Sequence, residues 1–305
     1  MSWLTDSDPD FTNPSALPDI IIEPSLKDLG GFRVRRALPS VRKRMVGPFI
    51  FLDHMGPAEF APHTGMDVRP HPHIGLATLT YLIEGSVVHR DTLGSAQEIV
   101  PGDVNWMTAG RGIAHSERSS PESRNTARRM TGIQSWIALP KGAEEVAPGF
   151  FHHGGATLPS LTDTGILLHV IAGTAYGEAS PVQVFSPTLY ADAMLAAGKS
   201  LPLPQEHEER AVYLLSGTLG IADEVFDAPR LLIFRPGDHI TIRAVTDVRC
   251  ILLGGEPTDG PRHIWWNFVS SSKERIEQAK ADWVAGRFGL IPADDAEFIP
   301  LPSGP

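Results

Sequence analysis

The sequence predicts an all-β chain: two related β-barrel domains packed together, with one α-helix near the C-terminus. Three observations predict it. Short runs rich in Val, Ile, Leu, Thr and Phe are separated throughout by glycine (29) and proline (27), the pattern of many short strands joined by turns. A strand, a glycine turn and a later Pro-Gly-Asp turn occur in that order twice, as Tyr81-Leu-Ile-Glu-Gly with Val100-Pro-Gly-Asp-Val and as Tyr213-Leu-Leu-Ser-Gly with Arg235-Pro-Gly-Asp-His. One segment near the end has helical rather than strand periodicity.

Taken in order, residues 1–18 are polar and proline-rich and are expected to be irregular. Residues 19–145 are assigned to the first barrel, with Ala77-Thr-Leu-Thr-Tyr-Leu-Ile as a central strand. Periodicity is lost in AEEVAPGFFHHGG, which places the boundary near Lys141 to Gly155. Residues 146–268 form the second barrel, with strands at Ile166-Leu-Leu-His-Val-Ile-Ala, Ala211-Val-Tyr-Leu-Leu, Leu231-Leu-Ile-Phe and Cys250-Ile-Leu-Leu. In the last segment, 269–305, Ser271-Ser-Lys-Glu274 has capping-box spacing, and Ile276, Ala279, Trp283 and Val284 recur at helical intervals up to Gly286. This helix is expected to pack on a barrel, and the tail after about Gly289 to be irregular.

Composition excludes several function classes. Net charge is −10, and the basic residues are scattered apart from Val34-Arg-Arg and Val41-Arg-Lys-Arg, so there is no basic stripe for direct nucleic-acid binding. The opening MSWLTDSDPDF is acidic where a signal peptide is basic, and no apolar run reaches the length of a membrane span. Cys250 is the single cysteine, which rules out an intramolecular disulfide and a thiolate metal site and points to the reducing cytoplasm.

Chemistry concentrates in two short stretches. Residues i and i+2 of a strand point to one face, so in RPHPHIG the imidazoles of His71 and His73 project together if the stretch runs into the following strand, with Pro72 limiting backbone freedom between them. Gly110-Arg-Gly-Ile-Ala-His115-Ser-Glu117 repeats the spacing with His115 and Glu117. Three neutral nitrogens and one carboxylate suit a divalent first-row metal such as Fe(II), Mn(II), Ni(II) or Cu(II), and leave positions for exogenous ligands. Trp106, Met107 and Gln134 fall on strands expected to line the first barrel, and Arg111, between two glycines, is placed to attract an anion at its mouth. His207, His152 and His153 read as exposed turn or linker residues, and His54 and His63 as turn residues ahead of the motif.

HPHIGLATLTYLIEG followed by PGDVNWMTAGRGIAHSE resembles the signature of the pirins, double-barrel (bicupin) members of the cupin superfamily. The resemblance extends to Pro48-Phe-Ile-Phe-Leu-Asp53, Ser186-Pro-Thr-Leu-Tyr190 and Gly254-Gly-Glu-Pro257. It implies one metal in the N-terminal barrel, commonly iron with Zn among the other candidates, held by His71, His73, His115 and Glu117. It further implies a quercetin 2,3-dioxygenase-like activity on flavonols or related enolic and phenolic compounds with O2, with Glu117 as a possible base. In other organisms pirins are partner-binding regulators that respond to iron oxidation state, which leaves a non-catalytic sensor acting through protein partners as the alternative. The chain departs from the general cupin pattern at Ala77 and Thr78, where a glutamate is usual. The second barrel lacks a Gly-Ile-Ala-His counterpart and is read as metal-free and structural.

Overall fold

A computed structural model describes residues 15–29 and 32–303; of the segment expected to be irregular, 1–14 lie outside the described residues, and 15–18 form neither helix nor strand. The described chain is mostly β, with a single α-helix at Lys273–Val284. Each apolar run singled out above lies within a strand: Leu76–Glu84, Ile166–Ala175, Glu209–Ser216, Arg230–Phe234 and Val248–Gly255.

The chain forms two compact units that interleave in sequence. One comprises residues up to Ser25 with Ala37–Ile50 and Ala156–Pro257, and the other Leu26–Arg36, Phe51–Gly155 and the segment from Thr258 onward. These bounds differ from the contiguous 19–145, 146–268 and 269–305 expected above, and strand pairing is the reason. Ile20–Ile22 pairs antiparallel with Arg230–Phe234, and Phe268 bridges Ile74, so segments from each end of the chain complete the opposite half.

In the second-half unit an apolar interior runs from Leu168 and Val170 through Val212, Leu214 and Leu232 to Cys250 and Leu252, all buried. His207, expected in an exposed turn, is buried there, with its Nε2–H donating to the Thr174 carbonyl at 3.0 Å. The duplicated Pro-Gly-Asp turns have one geometry. Gly102 and Gly237 adopt φ of 89° and 81°, the glycine position of a type II turn, and Asp103 and Asp238 each accept from the backbone N–H three residues earlier.

The first-half unit contains a seven-stranded sheet in the order Gly149–His153, Val104–Thr108, Leu76–Glu84, Arg128–Ala138, Phe49–Phe60, Arg33–Leu38, Ser25–Asp28. A four-stranded sheet runs Asp67–His73, Ile113–Arg118, Val87–Asp91, Ala96–Ile99. Apolar side chains including Val34, Met55, Met66, Leu82, Ile99 and Met130 form a buried cluster. The expected boundary segment is partly a strand: Gly149–His153 pairs with Val104–Thr108 at the edge of the sheet, and His152 Nδ1 bonds Asn105 Oδ1 at 2.8 Å. Residues that read as linker therefore form the edge strand of a sheet.

RPHPHIG does not run unbroken into the next strand. The histidine strand ends at His73, and Gly75 at φ +66° turns the chain into Leu76–Glu84 of the other sheet. A Cβ at position 75 would meet the Val269 carbonyl oxygen at 2.0 Å, so only glycine fits.

The helix starts one residue later than the capping box implies. Ser272 is the N-cap and its Oγ accepts from Arg275 N–H at 3.2 Å. Ile276 and Ala279 pack with Ile74 and Phe268, whereas Val284, expected on the apolar stripe, is exposed. No helix among the described residues is long and apolar enough to cross a membrane.

Candidate metal centre

The His71/His73 strand and the His115/Glu117 strand are antiparallel neighbours, with His115 opposite His71 and Ile113 opposite His73. Ligating atoms of His71, His73 and His115 lie within 4.8 Å of one another, and all three residues are buried; among the described residues they are the one such group of His, Cys, Asp or Glu. Their rings crowd at centroid separations of 4.3 to 5.1 Å.

Hydrogen bonds decide which ring atom faces inward. His71 Nδ1–H donates to the Arg69 carbonyl at 2.8 Å, and His73 Nδ1–H donates to the Asn267 carbonyl at 3.2 Å. Each neutral ring is left with a bare Nε2 lone pair. His115 Nδ1 lies 3.3 Å from His89 Nδ1, and His115 Nε2 is buried without a hydrogen-bond partner. Burial drives His71 down to about 4, and burial with neighbouring imidazoles drives His73 and His115 well below their ordinary value. Three neutral imidazoles presenting bare nitrogens, one with no partner in the fold, are the donor set a divalent transition metal requires, so the residues present fit a metal.

Glu117 lies on the same face as His115, because the pairing of their strand with Val87–Asp91 is regular there (His115 opposite Asp91, Glu117 opposite His89). Its carboxylate stands outside the group within 4.8 Å. Burial pushes the Glu117 carboxyl up to about 7, opposed by a long 3.5 Å hydrogen bond from Thr80 Oγ1. The single Thr80 hydroxyl hydrogen is shared with Gln134 Oε1, the shorter contact at 2.8 Å.

Strand alternation separates the other sequence candidates. Met107 pairs with Thr78 and Gln134 with Thr80, so both share the face that carries Thr80. Trp106 pairs with Leu79 and points the opposite way, with its indole N–H bonded to Thr108 Oγ1 at 2.9 Å. Arg111 is an exposed turn residue whose carbonyl accepts from Arg275. His63 is exposed at φ 67°, the turn role expected of it, while His54 is buried inside a strand.

Four contributors went unread in the sequence. Trp136 sits two residues beyond Gln134 on the same face, edge-on to His73 at 5.1 Å and stacked on Phe51 at 4.0 Å. Arg36 lies over Phe51 at 4.4 Å and is held by Asp53 through two bonds of 2.8 Å. His89, buried, stacks on Phe150 at 4.2 Å and donates from Nε2–H to Asp91 Oδ2 at 3.0 Å. Burial alone would raise the Asp91 carboxyl, but hydrogen bonds from His89 and Ser95 hold it below its ordinary value. The period-two rule that found His71/His73 and His115/Glu117 also describes His89/Asp91.

Comparison with known proteins places this architecture. The Pirin family model matches residues 31–137, and the Pirin C-terminal cupin domain matches residues 190–289. A "Pirin-like protein" of Caulobacter vibrioides is 51% identical over 93% of this chain and 99% of its own length. A Pseudomonas aeruginosa protein that carries the name "Putative quercetin 2,3-dioxygenase" is 40% identical over 90% of this chain and 87% of its own. The crystal structure of quercetin 2,3-dioxygenase from Acinetobacter baumannii superposes with a TM-score of 0.86 at 35% identity, covering 94% of this chain and 95% of that one. Two cupin domains, both halves matched and relatives aligned nearly end to end establish that this chain belongs to the pirin family.

Proposed function

We propose that this chain binds one divalent first-row ion, Fe(II) foremost, through His71, His73 and His115 with Glu117 as fourth ligand, and that the site works as a dioxygenase. Its substrates are quercetin-like flavonols or related enolic and phenolic compounds, with O2 as co-substrate, in the reducing cytoplasm. The observation that carries this reading is the convergence of three buried, Nε2-bare imidazoles beside a buried carboxyl, and a relative named for quercetin 2,3-dioxygenase supports it.

When bound, the ion would supply Lewis acidity and a template for both substrates. One carboxylate against a 2+ ion leaves a net positive charge, which favours an ionised enol or phenol over a neutral one. Glu117, the one carboxylate beside the three imidazoles, takes the proton of the substrate hydroxyl. Thr80, itself bonded to Gln134, contacts the carboxylate from one side. Trp136, backed by Phe51 stacked beneath it, offers its ring beside His73 as the apolar surface for an aromatic substrate, and Met107 extends the same lining. Trp106 takes no part, since it faces away from this lining.

The test is to load the purified chain with Fe(II), add quercetin in air, and follow flavonol absorbance with O2 uptake. Turnover that disappears on His115→Ala is expected. No turnover with any first-row metal, together with intact metal binding, would replace the enzyme reading with the sensor that acts through protein partners.

A further inference from the structure

The strand Val87–Asp91 turns Val87, His89 and Asp91 inward, and all three are buried. A core strand ordinarily fills such positions with apolar side chains, because a buried polar group is costly unless it is hydrogen-bonded. Here every polar atom of the pair has a partner. Asp91 Oδ1 accepts from the backbone N–H of Leu93 and of Ser95 at 2.9 and 3.0 Å, and Oδ2 accepts from His89 Nε2–H at 3.0 Å. With the hydrogen on Nε2 directed at Asp91, His89 presents Nδ1 as an acceptor to His115 at 3.3 Å. Only a hydrogen on His115 Nδ1 makes that contact favourable, and it leaves the lone pair on His115 Nε2, the buried atom with no partner.

We propose that His89 and Asp91 are positioning residues that fix the tautomer and ring orientation of His115 for metal binding. The inference rests on the metal-site reading given above. His71 and His73 are oriented by backbone carbonyls, which no substitution removes, whereas the Nδ1 partner of His115 is a side chain backed by a carboxylate. A donated Nδ1–H also makes Nε2 more electron-rich and a stronger ligand, and losing such a partner typically lowers metal affinity roughly 10- to 100-fold.

The test uses the full chain and Ni(II) alone as the probe. Asn and Leu have nearly the same shape, but only Asn keeps an acceptor where His89 Nδ1 stands. His89→Leu is expected to weaken Ni(II) binding by about 10-fold or more, and His89→Asn to retain affinity within about threefold of the parent. Long-range nitrogen–proton NMR of the metal-free protein is expected to find His115 in the Nδ1–H form in the parent and shifted from it in His89→Leu. Equal losses in the Leu and Asn variants, or unchanged affinity in the Leu variant, would overturn the proposal. If His89→Leu fails to fold, the parent's NMR signal decides alone, and an Nε2–H tautomer at His115 overturns it. A parent whose Ni(II) isotherm is indistinguishable from that of His115→Ala would instead reject the metal site itself.

Discussion

Replacing Glu117 by Gln changes one charged oxygen into an amide inside a buried site, and its effect on stability is predictable from the environment. Burial lifts the carboxyl from its ordinary 4.5 to about 7 in the metal-free protein. With His71, His73 and His115 all held neutral by burial, no cation is present to stabilise the anion. That rise corresponds to about 3 kcal/mol, the penalty for ionising this group in the fold rather than in water. Below pH 4.5 folded and unfolded chains are both protonated and Glu117 contributes nothing. Between 4.5 and about 7 the folded chain binds the extra proton, so stability falls as pH rises, and above 7 the full penalty applies. Glu117→Gln removes this dependence: its stability should match the parent near pH 4.5 and exceed it by about 3 kcal/mol at pH 8 to 9. Urea unfolding of chelator-treated parent and variant across this range measures the difference directly, since all other titrations cancel. Adding Co(II) should reverse the order, because a cation favours the carboxylate. A parent-to-variant difference that stays flat across the pH range would refute the reasoning.

Other outcomes follow from the same structure. His54 is buried and driven by desolvation to about 4, so it must enter the fold neutral. Its contribution is present above the unfolded value of 6.5 and is lost as pH falls toward 4; His54→Gln should flatten acid unfolding over that window by up to about 3 kcal/mol, and an unchanged profile would exclude this role. Glu144 pairs with buried Arg262 at 2.8 Å and accepts from the backbone N–H of Ser271 and the hydroxyls of Ser270 and Ser271. Glu144→Ala leaves buried Arg262 with Asp259 and the Leu139 and Gly260 carbonyls but removes the acceptor of Ser270 and Ser271, and should cost about 1–3 kcal/mol in chemical denaturation. Because Glu144 anchors the end of the hairpin whose Asn267 carbonyl orients His73, the same variant should also weaken Ni(II) binding; full affinity would show that the hairpin does not support the ring.

What could be read from the sequence follows physical range. The His71/His73 and His115/Glu117 pairs were legible because strand alternation is a two-residue property that needs no knowledge of the partner strand. The duplicated Pro-Gly-Asp turns were legible for a similar reason, since proline, a positive-φ glycine and an aspartate bonding back to the backbone are all local. Placing both Trp106 and Met107 in one lining ignored that same alternation, under which neighbours on a strand face opposite ways. His89 and Asp91 were missed because Val-Val-His-Arg-Asp reads as a half-polar strand, and nothing in it announces that the polar members point inward to His115. The Asn267 carbonyl that orients His73 left no trace at all, being a backbone atom 194 residues away. The interleaved units escaped for the same reason, because pairing of Ile20–Ile22 with Arg230–Phe234 is a long-range choice that local periodicity does not encode.

Anomalous diffraction from crystals of the Co(II)-loaded chain puts the central claim to its most direct test. The account predicts one fully loaded ion bonded to the Nε2 atoms of His71, His73 and His115, with the Glu117 side chain turned to meet it. A loaded ion bound elsewhere in the chain, or one held through Nδ1 of these rings, would contradict it.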